Sequence, residues 1–384
     1  MKNVLLGTTA LVAAGLVASN AHAAQGVQLG LGGYYAAAAG ELFSQDNGTG
    51  DPGHNTRNTV FRQDVEIHFK GETTLDNGLT VGAVIQLEGQ QSNDQIDEVW
   101  AYFKGGWGQI RFGDDDDAIE QLAYAIPSAS NIFGVDTPYF EFANNLGPAG
   151  FGNVAQTNTT MSELSGDATK IIYFSPTFGG FNFAVSYAPD RRGEDTYSGF
   201  STANGPGGTS FSNNAGQIQD VVSAAANYQR DFNGVGLVVG GGGGHGKWEN
   251  PLATQDDSVW NARGHVQVSF DGFTIGSAGE YTHNYASFTP DVNQWVYGVG
   301  ATYNWDAWTV GLAWSHGTYE VASNADKDNL DIVEATGRYD LGPGISLDAM
   351  VGFNDYNNDN GSGTPGGGGD NKTWEAGLGF YIGF

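Results

Sequence analysis

The chain of 384 residues contains 60 glycines, 9 tryptophans, 17 tyrosines and 22 phenylalanines, has no cysteine and carries a formal net charge of −28 at pH 7. Only 15 residues are lysine or arginine, which excludes nucleic acid as a natural partner because phosphate binding requires clustered basic side chains. The absence of cysteine excludes a disulfide framework and a cysteine-based metal or redox site.

The N-terminus predicts export of the protein. Lys2 precedes an apolar run, Val4–Val17, and Ala21-His22-Ala23 has the A-x-A form of a cleavage site, so we expect residues 1–23 to be a signal peptide. A transmembrane anchor is the alternative, but this apolar run is short for a bilayer span. Residues 24–384 are then expected to form a single domain.

The mature chain alternates apolar and polar residues with a period of two. In Thr59–Thr74 the apolar residues fall on one face and the ionisable residues on the other. The ionisable face carries Arg62, Asp64, Glu66, His68, Lys70 and Glu72. Because successive side chains of a strand point to opposite sides, one face suits lipid and the other suits water. A half-buried strand of a soluble sheet, in a secreted glycine-rich solenoid or sandwich, is the alternative.

Repetition of this pattern predicts about sixteen strands. In chain order we place them at residues 27–40, 59–74, 79–87, 96–104, 107–113, 168–176, 181–189, 220–232, 235–248, 259–270, 273–285, 294–305, 308–319, 330–341, 345–356 and 372–384. Tight turns such as Asp76-Asn77-Gly78 alternate with longer polar loops. These features predict an all-β protein, a transmembrane antiparallel up-and-down β-barrel with short periplasmic turns and long extracellular loops. An even strand count lets the first and last strands meet and close the barrel.

Aromatic residues support the same architecture. Those near strand ends on the short-turn side are Trp107, Phe181, Phe232, Phe270, Phe273, Trp305 and Trp308. This is where an aromatic girdle of a membrane barrel belongs. The last strand has an alternating row with a terminal aromatic residue, which consists of Trp374, Ala376, Leu378, Phe380, Ile382 and Phe384. We predict that this row faces lipid.

The longest interruption of the strand pattern lies at about residues 114–167 and begins with Asp114–Asp117. A loop this long inside a compact domain is usually functional, and we expect it to fold into the mouth of a pore. A second irregularity, Gly240–Gly244, falls within the ninth predicted strand. It is compatible with close subunit packing, with a bend or with a weakly specified strand.

Three segments resemble the Gram-negative general porins: Gly108–Gly113, Ile172–Phe181 and the terminal Phe384. The resemblance implies a homotrimer of 16-stranded barrels in the outer membrane of a Gram-negative bacterium, surrounded by outer-membrane lipid and lipopolysaccharide. Each barrel would be an aqueous channel for small hydrophilic solutes and ions, with its third long loop folded into the lumen against basic residues of the wall. The family's second long loop usually contacts a neighbouring subunit, but here it is short, at residues 91–95.

The resemblance also implies that Arg111 is the wall arginine of the constriction. Asp114 stands where many family members have a second basic residue, which weakens the expected positive wall. Strand parity independently points Arg62, His68, Lys70 and Arg263 into the lumen. The predicted lining of the constriction comprises Arg62, His68, Lys70, Arg111, Asp114, Asp115, Asp116, Asp117, Glu120, Asp136, Glu141 and Arg263.

A pore selects by its width and by fixed charge at its narrowest section. Because acids outnumber bases in the predicted lining, we expect a porin for passive diffusion of ions and small hydrophilic solutes that prefers cations. The alternative for Asp114–Asp117 is a solvated rim that only keeps the loop hydrated. Alternatives for the whole protein are a solute-specific channel, for instance for sugars, lined by Trp100, Tyr102 or Tyr139, and a plugged structural or binding barrel.

No enzyme and no cofactor are predicted. Ser315-His316 lacks a recognisable nucleophile–base spacing, and the chain has no G-x-S-x-G motif. Carboxylate clusters suit Ca²⁺, but no segment has the ligand spacing of a dedicated calcium loop. We therefore expect at most incidental Ca²⁺ at the acidic loops.

Overall fold

The computed structural model describes residues 26–43, 58–90, 96–136, 142, 159–191, 216–249, 251, 256–285, 292–320, 327–358 and 371–384. The predicted signal peptide, residues 1–23, and the short second loop, residues 91–95, lie outside the described residues. Both therefore stay predictions.

Within the described ranges, sixteen antiparallel strands form one closed barrel, in which each strand pairs with its neighbours in the chain and the first pairs with the last. The strands are β1 (Gln28–Phe43), β2 (Thr59–Thr74), β3 (Thr80–Glu88), β4 (Ile96–Gly105), β5 (Gly108–Asp114), β6 (Thr169–Phe174), β7 (Phe181–Asp190), β8 (Ile218–Phe232), β9 (Val235–Trp248), β10 (Ser258–Phe270), β11 (Phe273–His283), β12 (Gln294–Trp305), β13 (Trp308–Glu320), β14 (Lys327–Gly342), β15 (Ile345–Asn358) and β16 (Asn371–Gly383). The predicted all-β barrel is confirmed.

The barrel closes at its two chain ends. Tyr34 pairs with Gly383 in the ladder between β1 and β16. Beyond it, the backbone N–H groups of Gly33 and Phe384 each donate to the other residue's carbonyl oxygen at 3.0 Å. Among the sixteen described strands none has a free edge, because closure pairs the backbone groups of the first and last strands.

One rim of the barrel carries the tight turns and is called here the short-turn rim; the opposite rim is the long-loop rim. At the short-turn rim, Asn233 and Gly234 have φ angles of 57° and 92°, and Asp271 and Gly272 have 45° and 85°. Two successive positive φ angles define the type I′ hairpin turn, which Asn-Gly and Asp-Gly sequences adopt readily.

The outer surface of the barrel is apolar. Exposed apolar side chains along the strands include Leu29, Leu31, Phe61, Phe69, Phe103, Phe112, Ile171, Val185, Val239, Val266, Ile275, Val299, Leu312, Val351 and Leu378. All seven aromatic residues predicted for the short-turn girdle are exposed as well. A soluble monomer rarely exposes so continuous an apolar surface, and lipid is the environment that it fits.

The connection between β5 and β6, residues 115–168, is called here the inward loop, and its described residues fill one side of the interior. It contains α1 (Ala118–Gln121), and the described part of the chain has no helix of the length and hydrophobicity that crossing a membrane requires. Apolar side chains of the inward loop pack against inward-facing residues of β1 and β12–β16. The loop side chains are Ile126, Ile132, Phe133, Val135 and Phe142.

Glycines on the wall make room for the inward loop. A Cβ atom at Gly40 would lie 2.4 Å from the Phe142 ring, and one at Gly379 would lie 2.5 Å from the Ile132 side chain. Within Gly240–Gly244, a Cβ atom on Gly244 would approach the wall side chain of Asn261 to 2.9 Å and the Ile119 side chain of the loop to 3.3 Å. Close packing inside the barrel therefore explains the glycine at position 244.

Candidate functional site

The inward loop starts with a helix cap. Asp117 Oδ1 accepts hydrogen bonds from the backbone N–H groups of Ile119 at 2.8 Å and Glu120 at 3.3 Å, and thereby satisfies the first donors of α1. Its second oxygen, Oδ2, accepts a hydrogen bond from Ser223 Oγ of β8 at 2.6 Å. Asp117 is buried, so this aspartate starts the helix and ties it to the wall.

At the base of the inward loop, Arg111 of β5 is held by an ion pair, a hydrogen bond and two aromatic rings. Its Nη1 atom lies 2.9 Å from Asp115 Oδ2 and donates to Gln121 Oε1 at 3.1 Å. The guanidinium lies 4.1 Å from the centroid of the Trp100 ring and 4.7 Å from that of Phe174, which is the range of cation–π attraction. Because Asp115 is buried against it, the wall arginine contributes little net positive charge to the lumen.

Asp114 and Lys170 join the two ends of the inward loop. Asp114, the last residue of β5, pairs with Thr169 of β6 and accepts a hydrogen bond from its hydroxyl group. Lys170 is buried and donates to the backbone carbonyl oxygens of Asp115 and Gly166. Three of the four consecutive aspartates are thus buried, and only Asp116 is partly exposed.

Asp116 belongs to an acidic cluster at the base of the loop. Carboxylate oxygens of Glu98, Asp116 and Asp167 all lie within 4.8 Å of one another. Desolvation, followed by repulsion from Asp167 and Asp115, raises the pKa of Asp116 well above its ordinary value. Desolvation, followed by repulsion from Asp116, does the same to the pKa of Glu120.

We expect cation preference to depend on pH over an unusually high range. A carboxyl group with a raised pKa takes up its proton at a higher pH than a free aspartate, and each proton removes one negative charge from the lumen. Lowering the pH should therefore reduce the preference before ordinary carboxylates, with pKa values of about 4, begin to titrate. Reversal potentials measured at a series of pH values check this; a midpoint at about 4 or below would contradict it.

Asp136 stabilises the inward loop through hydrogen bonds to other residues of the loop. Its Oδ1 atom accepts from Thr159 Oγ1 at 2.8 Å and from the Thr160 N–H at 2.6 Å. Its Oδ2 atom accepts from Thr160 Oγ1 at 2.6 Å and from the Ile126 N–H at 3.0 Å. Asp136 is buried, so one carboxylate joins three segments of the loop that are distant in sequence.

Wall residues of β14 and β15 hold the next part of the loop. Asp348 Oδ1 accepts from Ser130 Oγ at 2.7 Å and from the Asn131 N–H at 2.8 Å. Arg338 Nη1 donates to Asn131 Oδ1 at 3.1 Å, and the Ala129 N–H donates to the hydroxyl group of a wall threonine at 3.0 Å. These bonds set how far the loop stands from the wall.

The other predicted bases lie in two places. Arg263 is buried on β10 behind the loop, with Nη1 3.6 Å from Glu120 Oε2. Arg62, His68 and Lys70 are half-buried on the inner face of β2. His68 Nε2 lies 2.9 Å from a Glu66 oxygen, and Lys70 Nζ lies 3.2 Å from a Glu72 oxygen. His68 and Lys70 therefore each lie beside an acid of the same strand.

Asp116 and Glu120 face a polar cavity of about 400 Å³ between the inward loop, β7, β8 and the turn that joins β6 to β7. Its other polar lining residues include Gln121, Tyr124, Asn182, Asn227 and Gln229. Glu141 and Tyr139 lie outside the described residues. Sequence reasoning missed Glu98 and Asp167; the inward parity of Glu98, close to the start of the loop on the neighbouring strand, was the available signal.

Residues 7–360 match a family model described as Gram-negative porin. The chain belongs to the Gram-negative porin family. This porin is accordingly an outer-membrane channel and not an enzyme. The sequence has no match among curated proteins.

Solved porin structures have the same fold. An anion-selective porin from Comamonas acidovorans is 16% identical, with a TM-score of 0.60 over 93% of this chain and 100% of that one. OmpT of Vibrio cholerae, in its trimer form, is 13% identical, with a TM-score of 0.58 over 94% and 100%. The channel DcaP of Acinetobacter baumannii is 12% identical, with a TM-score of 0.57 over 94% and 98%. At these identities the likeness concerns the fold alone.

Proposed function

We propose that this porin forms a water-filled pore for passive diffusion of ions and small hydrophilic solutes, and that the pore prefers cations. The observation that carries the preference is the acidic cluster of Glu98, Asp116 and Asp167. Fixed charge at a narrow, partly desolvated section acts at a lower effective dielectric constant than in bulk water. The cluster therefore attracts cations and repels anions at the base of the inward loop.

Pairing of the lumen bases supports this preference. Arg111 lies against Asp115, Lys70 against Glu72, and Arg338 Nε lies 3.0 Å from an Asp340 oxygen. Lys170 donates to the backbone carbonyl oxygens of Asp115 and Gly166. These bases thus lie beside individual acids or carbonyl groups, whereas the cluster brings three carboxyl groups together. Selectivity follows from these local charges, so the anion selectivity of one structural neighbour, at 16% identity, does not transfer to this chain.

Zero-current potentials in a potassium chloride gradient across planar bilayers test the proposal. We expect conducting channels and the sign of potential that cation preference produces. Conductance with an anion-selective sign would overturn the preference alone. No conductance would favour a plugged barrel, and a block by one particular sugar would favour a solute-specific channel. Trp100 and Tyr102, the described candidates for a sugar surface, are engaged with Arg111 and Glu72.

A homotrimer embedded in outer-membrane lipid and lipopolysaccharide is the proposed assembly. The outer face of β1, β2 and β16 has a groove of about 480 Å³ lined by Ala37, Ala39, Phe61 and Leu378. Phe61 is 81% exposed beside these small alanines. An exposed aromatic side chain beside a groove suits a head-to-tail contact, in which Phe61 of one subunit enters the groove of the next. Such contacts close into a ring in a cyclic trimer.

We expect Phe61→Ala to lower the trimer fraction, because a large aromatic side chain would no longer fill the neighbour's groove. Leu312→Ala is the matched control, since Leu312 is 59% exposed on β13, away from the groove. Sedimentation or native mass spectrometry in detergent measures the fraction. Equal trimer fractions in both variants would place the interface elsewhere.

Incidental binding of Ca²⁺ at the acidic loops stays a prediction. Carboxylate oxygens of Glu98, Asp116 and Asp167 lie close enough together, within 4.8 Å of one another, to share one ion. Hard oxygen ligands of this kind suit Ca²⁺. Calcium titration of the purified porin measures such binding. Conductance that is unchanged after chelation would mean that the channel needs no bound Ca²⁺.

A further inference from the structure

Two glutamates face each other behind the inward loop. Glu334 of β14 pairs with Gly352 of β15, and Gly352 pairs with Glu375 of β16, so both side chains lie in one row on the inner wall. Glu334 is 1% exposed and Glu375 is 0% exposed. Burial of two like charges is costly unless something compensates them.

Gly352 creates the space between the two glutamates. A Cβ atom at this position would lie 3.0 Å from Glu375 Oε1 and 3.1 Å from Glu375 Cγ. The Glu375 side chain therefore lies across the bare backbone of Gly352, on the side of Glu334, and the two carboxylates repel each other. Any larger residue at position 352 would fill this space.

Three side-chain oxygens at this site, two of Glu334 and one of Asn354, have no donor within the described part of the chain. Among the described residues, neither carboxylate oxygen of Glu334 has a hydrogen-bond partner, and the same is true of Asn354 Oδ1. Asn354 Nδ2 donates to Glu375 Oε1 at 2.6 Å, which orients the amide. Both Glu334 and Asn354 are almost fully buried, and a buried acceptor without a partner normally has an explanation.

We propose that Glu334, Glu375 and Asn354 form a binding site for a divalent cation of the calcium class. The set consists of oxygen ligands only, which hard cations such as Ca²⁺ prefer, and a charge of +2 balances the two carboxylates. A single proton on Glu334 would give one of its oxygens a partner and leave the other without one. The cation serves all the unpartnered oxygens together.

This site is linked to the inward loop. The backbone N–H of Phe142, a loop residue, donates to Glu375 Oε2 at 3.2 Å. The Phe142 ring packs where a Cβ atom on Gly40 or Gly377 would collide with it. A cation that holds Glu375 in place therefore also holds this part of the loop against the wall. The site lies behind the loop, apart from the acidic cluster at its base.

Calcium stoichiometry tests the site. Asp167→Asn serves as the background, because it weakens the separate cluster of Glu98, Asp116 and Asp167. After chelation and dialysis, equilibrium binding of radioactive Ca²⁺ at neutral pH is compared between this background and the same protein with Glu334→Gln added. We expect one bound Ca²⁺ per chain to be lost. Asp355→Asn, an outer-face carboxylate paired with Lys372 at 2.9 Å, is the control in the same background and should lose none.

Equal stoichiometry with and without Glu334→Gln would overturn the proposal and leave a shared proton as the compensation. Heat-modifiable gel mobility verifies that each barrel is folded, and Glu375→Gln replaces Glu334→Gln if that variant does not fold. Selectivity is measured separately in bilayers, so a failure of this site and a failure of the cation preference give different results.

Discussion

Asp136→Ala is expected to release the inward loop and to raise single-channel conductance and current noise. The substitution removes four hydrogen bonds and leaves the backbone N–H groups of Ile126 and Thr160 without acceptors. Each buried group left unpaired costs about 1–3 kcal/mol. The backbone hydrogen bonds of the barrel do not involve Asp136. The loop should therefore lose its fixed position while the barrel stays closed.

Thr159→Val is the matched comparison, because it removes one of the four bonds and keeps the side-chain shape. We expect a small effect from Thr159→Val and a large one from Asp136→Ala in planar-bilayer recordings and in limited proteolysis. Heat-modifiable mobility should stay that of a folded barrel in both. Unchanged conductance and protease resistance in Asp136→Ala would mean that the docking bonds of Asp348 hold the loop alone.

Joint replacement of Asp116 by asparagine and Glu120 by glutamine is expected to remove much of the cation preference. These two loop carboxylates line the polar cavity, whereas Asp115 and Asp117 are buried and paired. A unit charge about 8 Å from a permeating ion contributes about 2 kcal/mol at an effective dielectric constant of about 20, before screening by salt. The cation-to-anion permeability ratio should fall several-fold, and the unpaired Arg263 should add to the change.

Removal of two acids from the outer face is the control for total charge. Glu320→Gln with Asp355→Asn removes the same formal charge from residues paired with Lys327 and Lys372. Reversal potentials in a salt gradient should change strongly in the lumen variant and little in the control. A similar loss in both would assign the preference to the field of the whole molecule, and no loss in either would place Asp116 and Glu120 outside the narrowest section.

Strand positions could be predicted from the sequence because their cause is local. The alternation of apolar and polar residues has the period of the strand itself, and the Asn-Gly and Asp-Gly turns mark where strands end. The predicted bounds of Thr59–Thr74, Val235–Trp248 and Gln294–Trp305 agree with the structure residue for residue. The terminal row that ends at Phe384 likewise predicted the closing strand.

The role of each aspartate at the start of the inward loop could not be predicted, because it depends on contacts made in the folded barrel. Asp114 pairs with Thr169, Asp115 with Arg111 and Asp117 with Ser223, while Asp116 joins Glu98 and Asp167. Four adjacent residues of one type thus have four environments. Most of their partners come from distant parts of the chain, and the sequence pattern carries no information about which of them the closed barrel brings within reach. The acidic composition of this loop and its entry into the barrel could be predicted from residues 114–167, whereas the folded wall decides which of its charges remain exposed to ions.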